Sequence, residues 1–168
     1  MHTTRFRPKI ETAAVQHGLD PDLVQAVVEQ ESSYRWFAYR YEPGFYARYL
    51  GHLPAYVDSD PHEVSASYGL MQVMFTTAIE NGFVGDPWEM FIPAVALDNG
   101  CRHLANLMAW ARHLYTGLAA GEQAAVTRAA LAAYNGGKTG NSPTGPLRNG
   151  AYADQVLARR DRIALGVA

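Results

Sequence analysis

Apolar positions recur at helical spacing along most of the chain. From residue 4 to 17, Phe6, Ile10, Ala13, Ala14 and His17 share one face, and Gly18 stops the run. A second helix follows. Asp20 is a good N-cap, Pro21 suits the first helical position, and Asp22 favours the positive end of the helix. Val24, Val27 and Val28 form its apolar stripe. Glu31 lies four residues after Val27 and three after Val28, so it falls on that stripe, whereas Glu29 points elsewhere. Residues 68–81 return to a helical pattern that begins Tyr68-Gly69-Leu70-Met71-Gln72 and stops at Asn81-Gly82. Asp86-Pro87 opens another segment. Residues 94–115 predict a long amphipathic helix, with Leu97, Cys101, Leu104, Leu107, Met108, Ala111, Leu114 and Tyr115 as its stripe. An alanine-rich helix over 122–134 runs into Tyr134-Asn135-Gly136-Gly137, where glycines provide the stop. Residues 138–149 read as loop. A last helix, about 150–164, turns Tyr152, Val156 and Ile163 inward and several arginines outward. No segment alternates strongly enough to predict a strand.

Between these helices, residues 34–67 break the rhythm with Pro43, Gly44, Gly51, Pro54 and Pro61. Nine of the chain's nineteen aromatic residues fall between Tyr34 and Tyr56, a density unusual for a plain loop. A satellite core with a short helix at 44–50 accounts for it. So does an aromatic wall for sugar rings. Both readings stay open, with different residues serving each.

Composition narrows the possibilities. At 168 residues and 48% hydrophobic the chain is expected to form a single domain, residues 1–168, with a proper core. A net charge of -2 favours neither nucleic acid nor an anionic membrane. No stretch approaches a membrane-spanning run, so no membrane insertion is expected. The N-terminus, Met-His-Thr-Thr-Arg-Phe-Arg-Pro, carries no apolar run and does not read as a signal peptide. Cys101 is the one cysteine and reads as a small core residue. His103 and His113 are ten apart, not at the spacing of a helical metal pair, and His17 has no partner at metal spacing. Neither a metal nor another cofactor is expected.

Glu31 is the chemically pointed residue. A carboxylate on an apolar face is costly when ionised, so its pKa is expected to rise, and a carboxyl group that stays protonated near neutral pH is what a general acid requires. The local pattern equally allows a helix-end glutamate bent out to water.

Three motifs stand in order: Glu31-Ser32 at a helix end, Gly69-Leu70-Met71-Gln72, and Ala133-Tyr134-Asn135-Gly136-Gly137. A fourth element is Tyr152 followed by Val156-Leu157-Ala158. In order and content they resemble the SLT-type lytic transglycosylases, which share the goose-type lysozyme fold; the resemblance covers roughly residues 10–162. It implies a mainly α, lysozyme-like helical domain with an active-site cleft and an aromatic-rich inserted loop region. It also implies that Glu31 is the catalytic acid and that Ser32, Met71, Gln72, Tyr134, Asn135 and Tyr152 bind substrate. Tyr134 is expected near the catalytic carboxyl, steadying it, and Gln72 holds a hydroxyl or acetamido group. Gly69 is expected to let the backbone approach the sugar closely. The sequence departs from the family pattern at Phe75, where a proline is usual, and at Ala96 and His103, which replace an asparagine and a tyrosine. Its aromatic insertion is also longer than usual.

By the same resemblance the substrate is the glycan strand of peptidoglycan. The MurNAc-β-1,4-GlcNAc bond is cleaved without water, giving 1,6-anhydromuramoyl products, with one glutamate acting as acid and then base. A hydrolytic lysozyme on the same fold would need a second carboxylate, for which Glu42, Asp58, Asp60 and Glu63 are candidates. A non-catalytic glycan-binding module, or a structural component of a phage particle or secretion apparatus, would also suit a chain of this kind. A monomer is expected, made in a bacterial or host cytoplasm and acting on the wall, as a phage endolysin released by a holin or a virion component would be.

Overall fold

A helix that begins at a capped aspartate positions everything else. In the computed structural model, which describes residues 3–114, 122–141 and 145–166, α1 spans Thr3–Gln16 and α2 spans Pro21–Ser32. Asp20 accepts a hydrogen bond from the Asp22 amide at 2.9 Å, satisfying one of the free N–H groups of the first turn. Val24, Val27 and Val28 are fully buried. Each such burial is worth about 1.5–3 kcal/mol relative to exposure. The helix ends abruptly because Ser33 and Tyr34 both adopt left-handed backbone (φ 50° and 62°), which leaves Glu31 and Ser32 at its terminus.

The remaining helices wrap around a long central one. α6, Pro93–Leu114, is about 33 Å long at helical rise. It packs against α1 on one side and against α7, Glu122–Gly136, on the other. Alanines at 129, 130, 132 and 133 are all buried, and their small side chains let α7 lie close to its neighbours. α8, Gly150–Ala164, closes the bundle against α2 and α7. The stripe of α6 is buried from Leu97 to Ala111, but Leu114 is exposed, and Tyr115 lies outside the described residues. His17 pairs with Asp98 of α6 at 2.7 Å, so its role is to join two helices.

The segment between α2 and α6 departs from the sequence expectation. A three-stranded antiparallel sheet is present, in the order β1 (Tyr39–Tyr41), β2 (Ala66–Tyr68), β3 (Val73–Met74). Residues 68–81 are therefore not one helix. Gly69 to Gln72 form the turn of a hairpin, and only Phe75–Glu80 is helical, as α5. The short α3 (Pro43–Phe45) and a π-helical turn (Tyr46–Leu50) occupy the place of the expected helix at 44–50. α4, Pro61–Val64, is capped by Asp60 at 2.8 Å, and a 3₁₀ turn spans Pro87–Phe91. Among the described residues this makes eight α-helices and one small sheet, and no helix is long and apolar enough to cross a membrane.

Two glycines carry the hairpin's packing. Gly69 has φ 68°, and a Cβ there would lie 2.3 Å from the Met90 carbonyl oxygen. Gly100 of α6 sits under Met71, where a Cβ would lie 2.3 Å from its Sδ. The turn is thus pressed onto the 3₁₀ segment and α6, and the Gly69 position serves that contact.

Candidate active site

The sheet and the bundle enclose a cleft of about 720 Å³. One wall follows from strand periodicity. Arg40, Ser67 and Met74 stand opposite one another across β1, β2 and β3, and all three line the cleft. Glu42, two residues after Arg40, shares that side and pairs with it at 2.6 Å. Phe45 and Tyr49, tilted against each other with ring centroids 4.9 Å apart, extend the wall. The other aromatics of the inserted stretch go elsewhere. Tyr34 is buried, Tyr39 packs edge-on against Tyr68, Tyr41 stacks on His62, and Trp36 and Phe37 are exposed. The opposite wall comes from α6 and the end of α7, with His103, Asn106, Leu107, Tyr134, Asn135 and Lys138.

Glu31 lies between the walls, at the end of α2. Its carboxyl accepts a hydrogen bond from the Tyr152 hydroxyl of α8. Burial pushes its pKa above the usual carboxylate range; the bond from Tyr152 and the charge of Arg40 pull the other way without cancelling that rise. The half-buried carboxyl therefore holds its proton to higher pH than a surface glutamate, in the direction its position on the valine stripe implied.

The other expected site residues divide into two groups. Gln72, Tyr134 and Asn135 line the cleft with Glu31. Gln72 is set by a left-handed backbone (φ 49°), and its amide donates to the Gly69 and Ala38 carbonyls at 2.9 and 3.0 Å. It bolts β1 to the hairpin turn while forming part of the cleft surface. Tyr134 does not steady Glu31 through a hydrogen bond. Its hydroxyl donates to the Met71 carbonyl at 2.7 Å. Burial and the nearby Glu31 charge push its pKa well up. The tyrosine that holds Glu31 is Tyr152, which stands behind the carboxyl. Asn135 accepts from Asn149 at 2.8 Å, tying the end of α7 to the start of α8.

Ser32 and Met71, expected to bind substrate, present no side-chain surface to the cleft. Ser32 is 1% exposed, and its hydroxyl lies 3.1 Å from the Val28 carbonyl and 2.8 Å from that of Leu70. It joins α2 to the hairpin. Met71 is fully buried against Gly100, and its contribution is the carbonyl that anchors Tyr134.

Sequence reasoning missed the wall residues Arg40, Ser67, Thr77, Asn81, Asn106 and Lys138. Strand pairing would have found Arg40 and Ser67, but strands of two and three residues leave no readable alternation. It also missed the half-buried tie behind Glu31. Glu29 accepts from Arg159 at 2.8 Å and from Arg162, and Arg159 reaches Gln30 at 2.7 Å. These bonds fix α8, and with it Tyr152, against α2. Among the described residues no cluster of His, Cys, Asp and Glu is arranged to hold a metal ion.

The fold resembles that of the lytic transglycosylase Slt from Pseudomonas aeruginosa, solved as an inactive mutant in which a glutamine replaces a glutamate. The TM-score is 0.65 at 18% identity over 97% of this chain. The chain spans about a quarter of that protein's length (25%). The shared architecture is the lysozyme-like, mainly helical SLT fold. No curated protein matches. The family model described as the transglycosylase SLT domain matches residues 8–146, and with so much of its length matched the chain belongs to the SLT transglycosylase domain family.

Proposed function

We propose that this chain is a peptidoglycan lytic transglycosylase that cleaves the MurNAc-β-1,4-GlcNAc bond without water. The observation that carries the reading is the half-buried Glu31 carboxyl, its pKa raised by burial, held by Tyr152 in an open cleft. In the first step Glu31 donates its proton to the glycosidic oxygen as the bond to the anomeric carbon breaks, and the bonding pair leaves with that oxygen. The acetamido group of the same sugar stabilises the electron-poor anomeric carbon. In the second step the 6-hydroxyl oxygen of that sugar bonds to the anomeric carbon, and the Glu31 carboxylate takes the hydroxyl proton. Acid and base are then the same residue, the enzyme returns to its starting state, and the product is a 1,6-anhydromuramoyl end.

The surroundings suit this cycle. Tyr152 bonds to the carboxyl and can continue to donate to it when it becomes an anion. Gln72, Ser67, Thr77, Asn81, Asn106 and Asn135 give the cleft uncharged hydrogen-bonding groups suited to sugar hydroxyls and acetamido groups. Phe45 and Tyr49 are the two aromatics of the inserted stretch placed to stack on a sugar ring. The related solved protein carries the name lytic transglycosylase, and its inactive form replaces a glutamate.

One observation favours a second reading. Of the four carboxylates considered for water activation, Glu42 lines the same cleft as Glu31. A hydrolytic lysozyme would use it as base. Glu42 is already engaged by Arg40 at 2.6 Å, and the one-carboxylate route needs no second base, so it is preferred. Mass spectrometry of digested, purified sacculi separates the two. Anhydro-ended muropeptides, with activity falling by roughly a hundred- to ten-thousandfold in Glu31→Gln and unaffected product type in Glu42→Gln, are expected. Reducing muramic acid ends from the wild type would establish hydrolysis instead. Unchanged lysis by Glu31→Gln would remove Glu31 from the chemistry.

A further inference from the structure

On the wall facing the sheet, a chain of amides fixes one imidazole. Asn106 donates to Asn81 Oδ1 at 2.7 Å. That orients the Asn81 amide, whose Nδ2 donates to the Thr77 carbonyl at 2.8 Å and faces His103 Nδ1 at 3.1 Å. A donor facing Nδ1 makes that nitrogen the acceptor, so the neutral ring carries its proton on Nε2. Tyr134 lies tilted against the ring at 5.1 Å and keeps it from turning. Nε2 has no hydrogen-bond partner among the described residues. It is not a buried orphan either, since Asn99 Oδ1 is the one buried side-chain polar atom there without a partner. Its N–H is therefore accessible, on a residue that lines the cleft. A second proton on Nδ1 would point at the Asn81 NH₂. Burial and the Lys138 charge act in the same sense and push the imidazole pKa down to about 4.

We propose that His103 is a substrate-binding residue, a neutral donor locked in one tautomer whose Nε2–H takes an acceptor oxygen of an N-acetylated sugar in the Glu31 cleft. The inference rests on the reading of the cleft as a glycan site. Nothing in the catalytic steps uses His103. Its contribution is to hold one sugar in register, and a neutral donor does so without competing for the Glu31 proton. The Thr77 carbonyl, which can only accept, sets the direction of the amide chain behind it: it turns the Asn81 NH₂ toward itself and His103 and leaves Asn81 Oδ1 to Asn106.

The test is calorimetric binding of soluble, uncross-linked peptidoglycan glycan strands to the Glu31→Gln protein at neutral pH, in which no turnover occurs. Adding His103→Phe, which keeps a ring and removes the donor, is expected to weaken binding roughly three- to tenfold, the worth of one neutral hydrogen bond. Adding His103→Gln, whose amide nitrogen reaches about as far as Nε2, is expected to restore it to within about twofold. A long-range ¹⁵N spectrum of the wild type checks the tautomer without any variant and is expected to show the Nε2–H form. Equal binding by the Phe variant, or an Nδ1–H tautomer, would overturn the His103 assignment alone. Failure of the Glu31→Gln protein itself to bind the strands would overturn the glycan reading and this inference together.

Discussion

Ser32 shows how a residue next to the chemistry can serve it without touching substrate. Its buried hydroxyl bridges the last turn of α2 and the carbonyl of Leu70 in the hairpin turn. Replacing it with alanine removes one buried hydrogen bond and leaves a carbonyl underserved. Ser32→Ala is therefore expected to lower stability by about 1–2 kcal/mol in urea unfolding, with glycan affinity unchanged; a loss of affinity at unchanged stability would return Ser32 to the binding surface. Glu31 was legible in the sequence because its spacing from Val28 and Val27 put it on the apolar stripe and the ordered motifs downstream singled it out, where the local pattern alone left a solvent-facing glutamate open. The roles of Ser32 and Met71 were not. Adjacency to Glu31 and Gln72 says nothing about direction, and alternate positions on a turn point opposite ways. The partner of Glu31 was likewise beyond local reading, since Tyr152 lies 121 residues away and is brought in by packing of α8 on α2.

At the scale of elements, the long helices were legible within a residue or two because each presents several turns of one apolar face. The hairpin was not. Ala66–Tyr68 and Val73–Met74 are too short to display alternation, and the apolar run from Leu70 to Met74 mimics a helical stripe. What decides the matter is the left-handed backbone at Gly69 and Gln72, which a helix cannot accommodate. Packing then holds the turn: Met71 fills the space left by the missing side chain at Gly100. Gly100→Ala would place a methyl group inside the Met71 side chain. Overpacking of this kind costs about 1–3 kcal/mol, and here it would also displace the turn that carries Gln72. A lowered thermal midpoint accompanied by lower activity per folded molecule is expected. A variant that is destabilised yet fully active when folded would show that the turn does not need this contact to form the site.

Across the whole molecule, the site is a junction between two kinds of structure. The bundle supplies Glu31, Tyr152, His103 and Tyr134, while the short sheet supplies Arg40, Ser67 and Gln72's support. Burial at this junction has a cost that pH exposes. His103 titrates near 4 in the folded protein and near 6.5 when unfolded. Its folded pKa is depressed, so the unfolded chain binds the proton first as pH falls. His103 then costs the fold nothing above pH 6.5. It destabilises it progressively between about 6.5 and 4, by about 3 kcal/mol in all. His103→Gln should flatten that part of the stability profile in urea titrations from pH 7 to 4; an unchanged slope would mean the imidazole is not held neutral.

Burial raises the pKa of the Glu31 carboxyl, and the proposed chemistry depends on that rise. The most direct measurement is a ¹³C NMR titration of the Glu31 carboxyl, assigned by its loss in Glu31→Gln. The midpoint is expected above the ordinary glutamate value of 4.5 in the wild type. In Tyr152→Phe it is expected higher still, because the hydrogen bond that is removed favours the charged form. A wild-type midpoint at or below 4.5 would contradict the account.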